Sequence, residues 1–70
     1  MCDLANALKK ARKQAGLTQV ELSKRSGISQ ADISRLENGA GNPSVLLLHR
    51  LADAMDMTLS IKFVPRTTKE

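Results

Sequence analysis

The seventy-residue sequence contains one cysteine, two prolines, one histidine, a single phenylalanine, and no tryptophan or tyrosine. Each scarcity removes a class of protein. A lone thiol, Cys2, makes no internal disulfide, so nothing of that kind staples a small core; it fits a reducing cytoplasm, with Cys2 a passive N-terminal residue. His49, the sole histidine, lies in a leucine-rich run with no cysteine or paired acid at ligand spacing. That argues against a metal centre, a cofactor or a catalytic base, and leaves His49 as a surface or interface residue. Proteins that hold single strands stack bases on aromatic rings, and only Phe63 offers one here, so a nucleic-acid partner would be a duplex. No run of eighteen apolar residues occurs, and charge at Asp3, Lys9 and Lys10 breaks up any leader, so a soluble, unprocessed chain with no membrane contact is expected. At 7.6 kDa the interior is too small to enclose a substrate, and an enzyme is not expected.

What the chain does have is positive charge and clear helix punctuation. Eleven Lys and Arg against seven Asp and Glu give a net charge of +4, a weak pointer to a polyanion. A first helix, capped by Asp3, has an apolar stripe of Leu4, Ala7, Leu8, Ala11 and Ala15, and Gly16 ends it. Thr18-Gln19-Val20-Glu21 then reads as a capping box, flanked by Leu17 and Leu22 as a hydrophobic staple, and the second helix stops at Gly27. The device repeats with Ile28, Ser29, Asp32 and Ile33, opening a third helix from Gln30 to about Asn38. Asn42-Pro43-Ser44 opens a fourth, with Pro43 near its first position and Asn42 or Ser44 as cap. Val45, Leu46, Leu47, Leu48, Leu51, Ala52 and Met55 cover more than one face of that helix. Either part of this surface meets another chain, or Leu46 or Leu47 is simply exposed.

From Met57 the apolar period changes to two, with Leu59, Ile61 and Phe63 alternating with Ser60, Lys62 and Val64 until Pro65. This reads as a strand, with a short fifth helix or a frayed tail as the alternative. The rest of the chain supplies no second strand, so pairing would come antiparallel from a second copy across a twofold axis.

Two short capped helices joined by Ser26-Gly27-Ile28 have the pattern of a helix-turn-helix, in which the second helix protrudes into a major groove. At about 100° per residue, Gln30, Ala31, Ser34, Arg35 and Asn38 fall on one side and Ile33, Leu36 and Glu37 on the other. Gln30 and Arg35 have the reach for adenine or guanine edges, and Ala31 offers a methyl to thymine. Ser29 and Gln19, at helix N-termini, are placed to hold phosphates, and Lys24 and Arg25 would lie near the duplex.

Thr18-Gln19-x-Glu21-Leu22-Ser23, Gly27-Ile28-Ser29, Ile33-Ser34-Arg35-Leu36-Glu37-Asn38-Gly39 and Asn42-Pro43-Ser44 resemble the Cro/phage-repressor (Xre) family. Leu4-Ala5-Asn6-Ala7-Leu8-Lys9 and Met57-Thr58-Leu59 narrow the likeness to the HipB-type antitoxin repressors, over about residues 4–61. The resemblance implies an all-α fold: a lambda-repressor-like bundle of four to five short helices, with a C-terminal β-strand pairing in a dimer. The expected divisions are a DNA-binding domain at 1–56, a dimerisation strand at 57–65 carrying Leu59, Ile61 and Phe63, and a tail at 66–70. It implies base reading by Gln30 and Ala31, with Ser34 and Arg35 as further candidates, and phosphate contacts at Thr18, Gln19, Ser29 and Asn38. It also implies a structural ion pair between Arg12 and Glu37. Ser26 departs from the family's usual apolar residue, and Asp56 from its frequent glycine; both are expected to thin the core or change the exit into the strand. The expected function is a homodimeric, cytoplasmic, nucleoid-associated repressor on a palindromic double-stranded DNA operator, with autoregulation as an antitoxin. The competing reading is a protein-interaction module that grips a HipA-like kinase toxin through the folded body, since only Arg66 to Glu70 follow Pro65.

Overall fold

The computed structural model describes residues 3–66, and the side chains of residues 4–66. Four helices fill this span: α1 (Asp3–Gln14), α2 (Gln19–Ser26), α3 (Gln30–Glu37) and α4 (Val45–Ala54). The bundle is all-α, as expected, and α3 lies across α1 and α2 while α2 also packs on α4. The side chain of Asp3, on which the expected cap depends, and Cys2 lie outside what is described.

The capping pattern translates into structure with two changes. At α2 the box is complete: Thr18 Oγ1 accepts from the Glu21 amide at 3.0 Å, and the Thr18 amide donates to Glu21 Oε1 at 2.8 Å. At α3 only half of it forms. Ser29 Oγ accepts from the Asp32 amide at 3.2 Å, but the Asp32 carboxylate engages Arg35 rather than the Ser29 amide. Aspartate is one methylene shorter than glutamate, and a guanidinium one turn on is a stronger partner. At α4, Ser44 is the cap, accepting from the Leu47 amide at 3.1 Å, and Pro43 stands before it rather than inside the first turn. The flanking staples are buried: Leu17 with Leu22 at α2, Ile28 with Ile33 at α3.

Leu22, Ile33 and Leu51 are the largest fully buried side chains, and Leu8, Leu17, Ile28 and Met55 complete the core around them. One residue from each of α2, α3 and α4 thus sits at its centre. The stripe expected along α1 holds at Leu8, Ala11 and Ala15, which face the core, but not at its start. Ala5 and Leu8 are buried, whereas Ala7 is exposed and Leu4 is 42% exposed. The line Ala5, Leu8, Arg12, spaced by three and four, faces inward because Arg12 must meet Glu37 of α3; this turns Leu4 and Ala7 toward the side. Along α4, Leu51, Ala52 and Met55 are buried and Leu47 and Leu48 are half-buried, while Leu46 is 72% exposed.

Beyond α4 the chain turns at Asp56, which has a left-handed φ of 57°. Aspartate tolerates this conformation better than most side chains but less well than glycine, which accounts for the residue type at this departure from the family pattern. Residues 57–66 form no further helix and no ladder within the chain. Met57 and Leu59 are half-buried and Thr58 and Ser60 exposed, so the period of two survives in the burial pattern over 57–60. A ladder needs a second backbone, and none of the described residues supplies one.

Candidate nucleic-acid interface

The angle between α2 and α3 is fixed by their turn. Gly27 adopts φ 76° and ψ 10°, donating its amide to the Ser23 carbonyl at 2.9 Å. A side chain at such φ is strained, and a Cβ there would come within 3.0 Å of Arg50 Nη2. Ser26 does not merely thin the core. Its hydroxyl oxygen accepts from the Ile28 amide at 3.1 Å, spanning the turn, and its carbonyl accepts from Arg50 Nη2 of α4 at 3.0 Å. Arg50 therefore closes the C-terminal end of α2, a contact the sequence reading missed; the 24-residue separation leaves no local signal for it.

Once the turn is set, the two faces of α3 separate as the helical spacing predicts. Ile33 and Glu37 are buried, Leu36 packs against the core, and Gln30, Ala31, Arg35 and Asn38 are exposed with Ser34 half-buried. The outer surface is polar and mostly small, with one long cation. Arg35 donates through Nη2 to Asp32 Oδ1, both heads remaining largely in solvent. Bonds from Arg35 first, and then from Ser29, hold the Asp32 carboxyl below the usual range. The capping role expected of Asp32 leaves this second partner out, although the i,i+3 spacing to Arg35 signals it.

Glu37 anchors the inner face. Arg12 Nε donates to Glu37 Oε2 at 2.6 Å and Nη2 to Oε1 at 3.0 Å, a bidentate pair with side chains only 11% and 2% exposed. The remaining Arg12 nitrogen, Nη1, donates to the Leu17 carbonyl at 2.9 Å, and Gln19 Nε2 donates to Glu37 Oε1 at 3.1 Å. Burial by itself pushes the Glu37 carboxyl up, but the bonds from Arg12 and Gln19 outweigh it and hold the group below its ordinary value. This network joins the end of α1, the start of α2 and the end of α3. It also draws the Gln19 side chain onto Glu37, so that of the polar groups of Gln19 the backbone amide in the first turn of α2 is the one left without a partner inside the helix. Thr18 and Asn38 remain exposed at the ends of α2 and α3, and Ser29 at the start of α3. Lys24 and Arg25, on the last turn of α2, are exposed as well.

Among the described residues no helix is long and apolar enough to cross a membrane, and no three His, Cys, Asp or Glu side chains gather as a metal site.

Two capped helices at a glycine turn, the second buried on one side and polar on the other, define a helix-turn-helix domain. The chain belongs to the Helix-turn-helix family, whose model matches residues 8–62. It is 40% identical over 58 residues to the antitoxin HipB of Escherichia coli O6:H1, an alignment covering 83% of this chain and 62% of that one. Against that relative and the HipB of strain K12, the chain spans 62% and 66% of the curated length. Among solved structures, an HTH_3 family transcriptional regulator from Vibrio cholerae superposes with a TM-score of 0.78 at 28% identity, covering 81% of this chain and 32% of that one. The HipA-HipB-O2-O3 complex contains a chain that superposes with a TM-score of 0.75 at 34% identity, covering 91% of this chain and 90% of that one.

Proposed function

We propose that the protein is a sequence-specific, double-stranded-DNA-binding transcriptional regulator that acts as a homodimeric repressor on a palindromic operator. The observation that carries this reading is the division of α3: Ile33 and Glu37 lock its inner face, leaving Gln30, Ala31, Ser34 and Arg35 to meet base edges. Gln30 reads adenine, Arg35 reads guanine and Ala31 contacts the thymine methyl. Thr18, Gln19, Ser29 and Asn38 hold phosphates and set the register. Leu59, Ile61 and Phe63 belong to the strand that pairs two copies, giving a dimer of charge +8, twice the +4 of one chain. The two recognition helices then address half-sites roughly 34 Å apart, one turn of duplex.

The relatives' names support a second, compatible role: one is an antitoxin, and one solved neighbour holds HipA together with HipB. On this reading the protein also restrains a HipA-like kinase toxin and represses its own module. It is a binding protein rather than an enzyme, at work on the nucleoid in the cytoplasm.

Selection of bound duplexes from a random pool, followed by titration at several salt concentrations, tests the DNA reading. The expected outcome is a palindromic consensus whose log affinity falls linearly with log salt, because several phosphates are neutralised per dimer. A flat salt dependence, or no consensus, overturns it. Co-purification with a HipA-like kinase encoded beside this chain tests the second role, and binding that survives Gln30→Ala would place the toxin surface away from the reading face.

A further inference from the structure

An apolar groove of about 170 Å³ runs between α1 and α4 and is closed at one end by the start of the C-terminal segment. Leu4, Ala7 and Ala11 form one wall, Leu48 and Met55 the other, and Leu59 the end. Its rim includes Leu4, a large apolar side chain 42% exposed in the single chain. Four residues beyond Leu59 stands Phe63, the chain's sole aromatic, fully exposed and with Ile61 and Val64 also bare beside it. One chain thus carries an empty apolar slot and an unburied aromatic that does not fill it.

Strand geometry connects the two. In an antiparallel pair across a twofold axis, the numbers of opposed residues add to a constant, and residues on one face oppose each other only if that constant is even. Met57, Leu59, Ile61 and Phe63 share a face, being spaced by two. If the axis passes through Ile61, Phe63 of one chain opposes Leu59 of the other; if it passes through Ser60, Phe63 opposes Met57. Both Leu59 and Met57 line the groove. Either register delivers the aromatic ring of each chain to the slot of its neighbour. The space is adequate, since an apolar cavity of about 150 Å³ accepts benzene.

We infer that Phe63 is the dimer's anchor: each copy inserts this ring between α1 and α4 of the other copy, so the occupant of the groove is a second copy of this chain. The inference rests on the homodimer of the preceding subsection and adds what the paired strands grip. It ties the dimer directly to the helical body, because the groove walls are the outer side of the same α1 that carries Arg12. The exchange is reciprocal, so two rings and two grooves are buried per dimer.

The sole aromatic makes the test clean. Dimers mixed from one isotopically labelled and one unlabelled full-length chain are expected to show intermolecular proton NOEs from the Phe63 ring to the methyls of Leu4, Ala7 and Leu48. Sedimentation equilibrium should find dimerisation weakened at least tenfold in Phe63→Ala and in Ala7→Arg. Both positions are exposed in the single chain, so far-ultraviolet circular dichroism should show the helices intact. A stable dimer whose ring contacts are absent, or arise only within one chain, overturns the anchoring while leaving the homodimer standing. A wild-type chain that is monomeric at every concentration overturns the homodimer itself, and the anchor with it.

Discussion

Two arginine–carboxylate pairs flank α3, and they differ in almost everything except chemistry. Arg12 and Glu37 are joined by two hydrogen bonds with side chains 11% and 2% exposed, and Leu17 and Gln19 satisfy further positions. Arg35 and Asp32 share one contact between side chains 69% and 46% exposed. The buried pair is held by three elements and has no freedom to serve as a ligand contact. The exposed pair lies on the outer face, where water and ions compete for both partners, so Arg35 can exchange its carboxylate for a base at little cost. The positions of Asp32 and Glu37 on one short helix thus separate an arginine held in the interior from one left free on the outer face.

The comparison breaks most visibly at Arg12. Arg12→Ala leaves Glu37 buried without its cation, and removal of one partner of a buried pair costs about 3–5 kcal/mol. A single core in a domain of this size rarely supplies more than about 3–5 kcal/mol, so chemical denaturation should find the variant largely unfolded. Replacing both partners, Arg12→Met with Glu37→Leu, should recover much of that loss; a double variant no better than the single one would contradict the pairwise account.

Acid provides a graded version of the same break. The folded-state pKa of Glu37 is depressed, so its contribution is fully present above the ordinary glutamate value of roughly 4.3 and is lost as pH falls through the lower folded value. Asp32 and Glu21 are lowered as well, but both carboxylates lie in solvent, where screening leaves Glu37 to dominate. Urea midpoints measured from neutral to acid pH should therefore fall in the wild type, and fall less steeply in Glu37→Gln, which starts from a lower midpoint.

Asp56→Gly lies outside both pairs and should act in the opposite sense. It relieves a left-handed non-glycine residue and should raise stability by about 0.5–1 kcal/mol in thermal or urea unfolding. The smallest expected effect is that of Asp32→Ala, which should leave the urea midpoint unchanged within error, because its pair with Arg35 is exposed. A large loss there would erase the distinction between the two pairs.

Features governed by neighbours in the chain were legible in the sequence. The α2 capping box, both staples, the Gly27 turn and the two faces of α3 all depend on residues a few positions apart, and the structure places them accordingly. Long-range contacts were harder. Periodicity places Leu8, Ala11 and Ala15 correctly on the core side, but the rotation of α1 that buries Ala5 instead of Ala7 follows from a partner 25 residues away. The bond from Arg50 to the Ser26 carbonyl joins two helices with no shared pattern. The half-formed box at Ser29 shows a different limit: Asp32 fits two roles at once, and the competition is decided by the reach of its side chain. The strand expected at 57–65 depends on a second backbone, so its alternation is visible in the sequence while its pairing is not.

The central claim is that the exposed side of α3 reads DNA while its buried side only holds the helix in place. It is tested most directly by measuring the affinity of Arg35→Ala for a selected operator and for an unrelated duplex of equal length, at one fixed salt concentration. Loss of a bidentate guanine contact costs about 1–3 kcal/mol, which is roughly 5- to 150-fold in affinity, on the operator. The same variant should stay folded, with a much smaller change on the unrelated duplex. Equal losses on both duplexes, or no loss on the operator, would contradict the assignment of Arg35 to base reading.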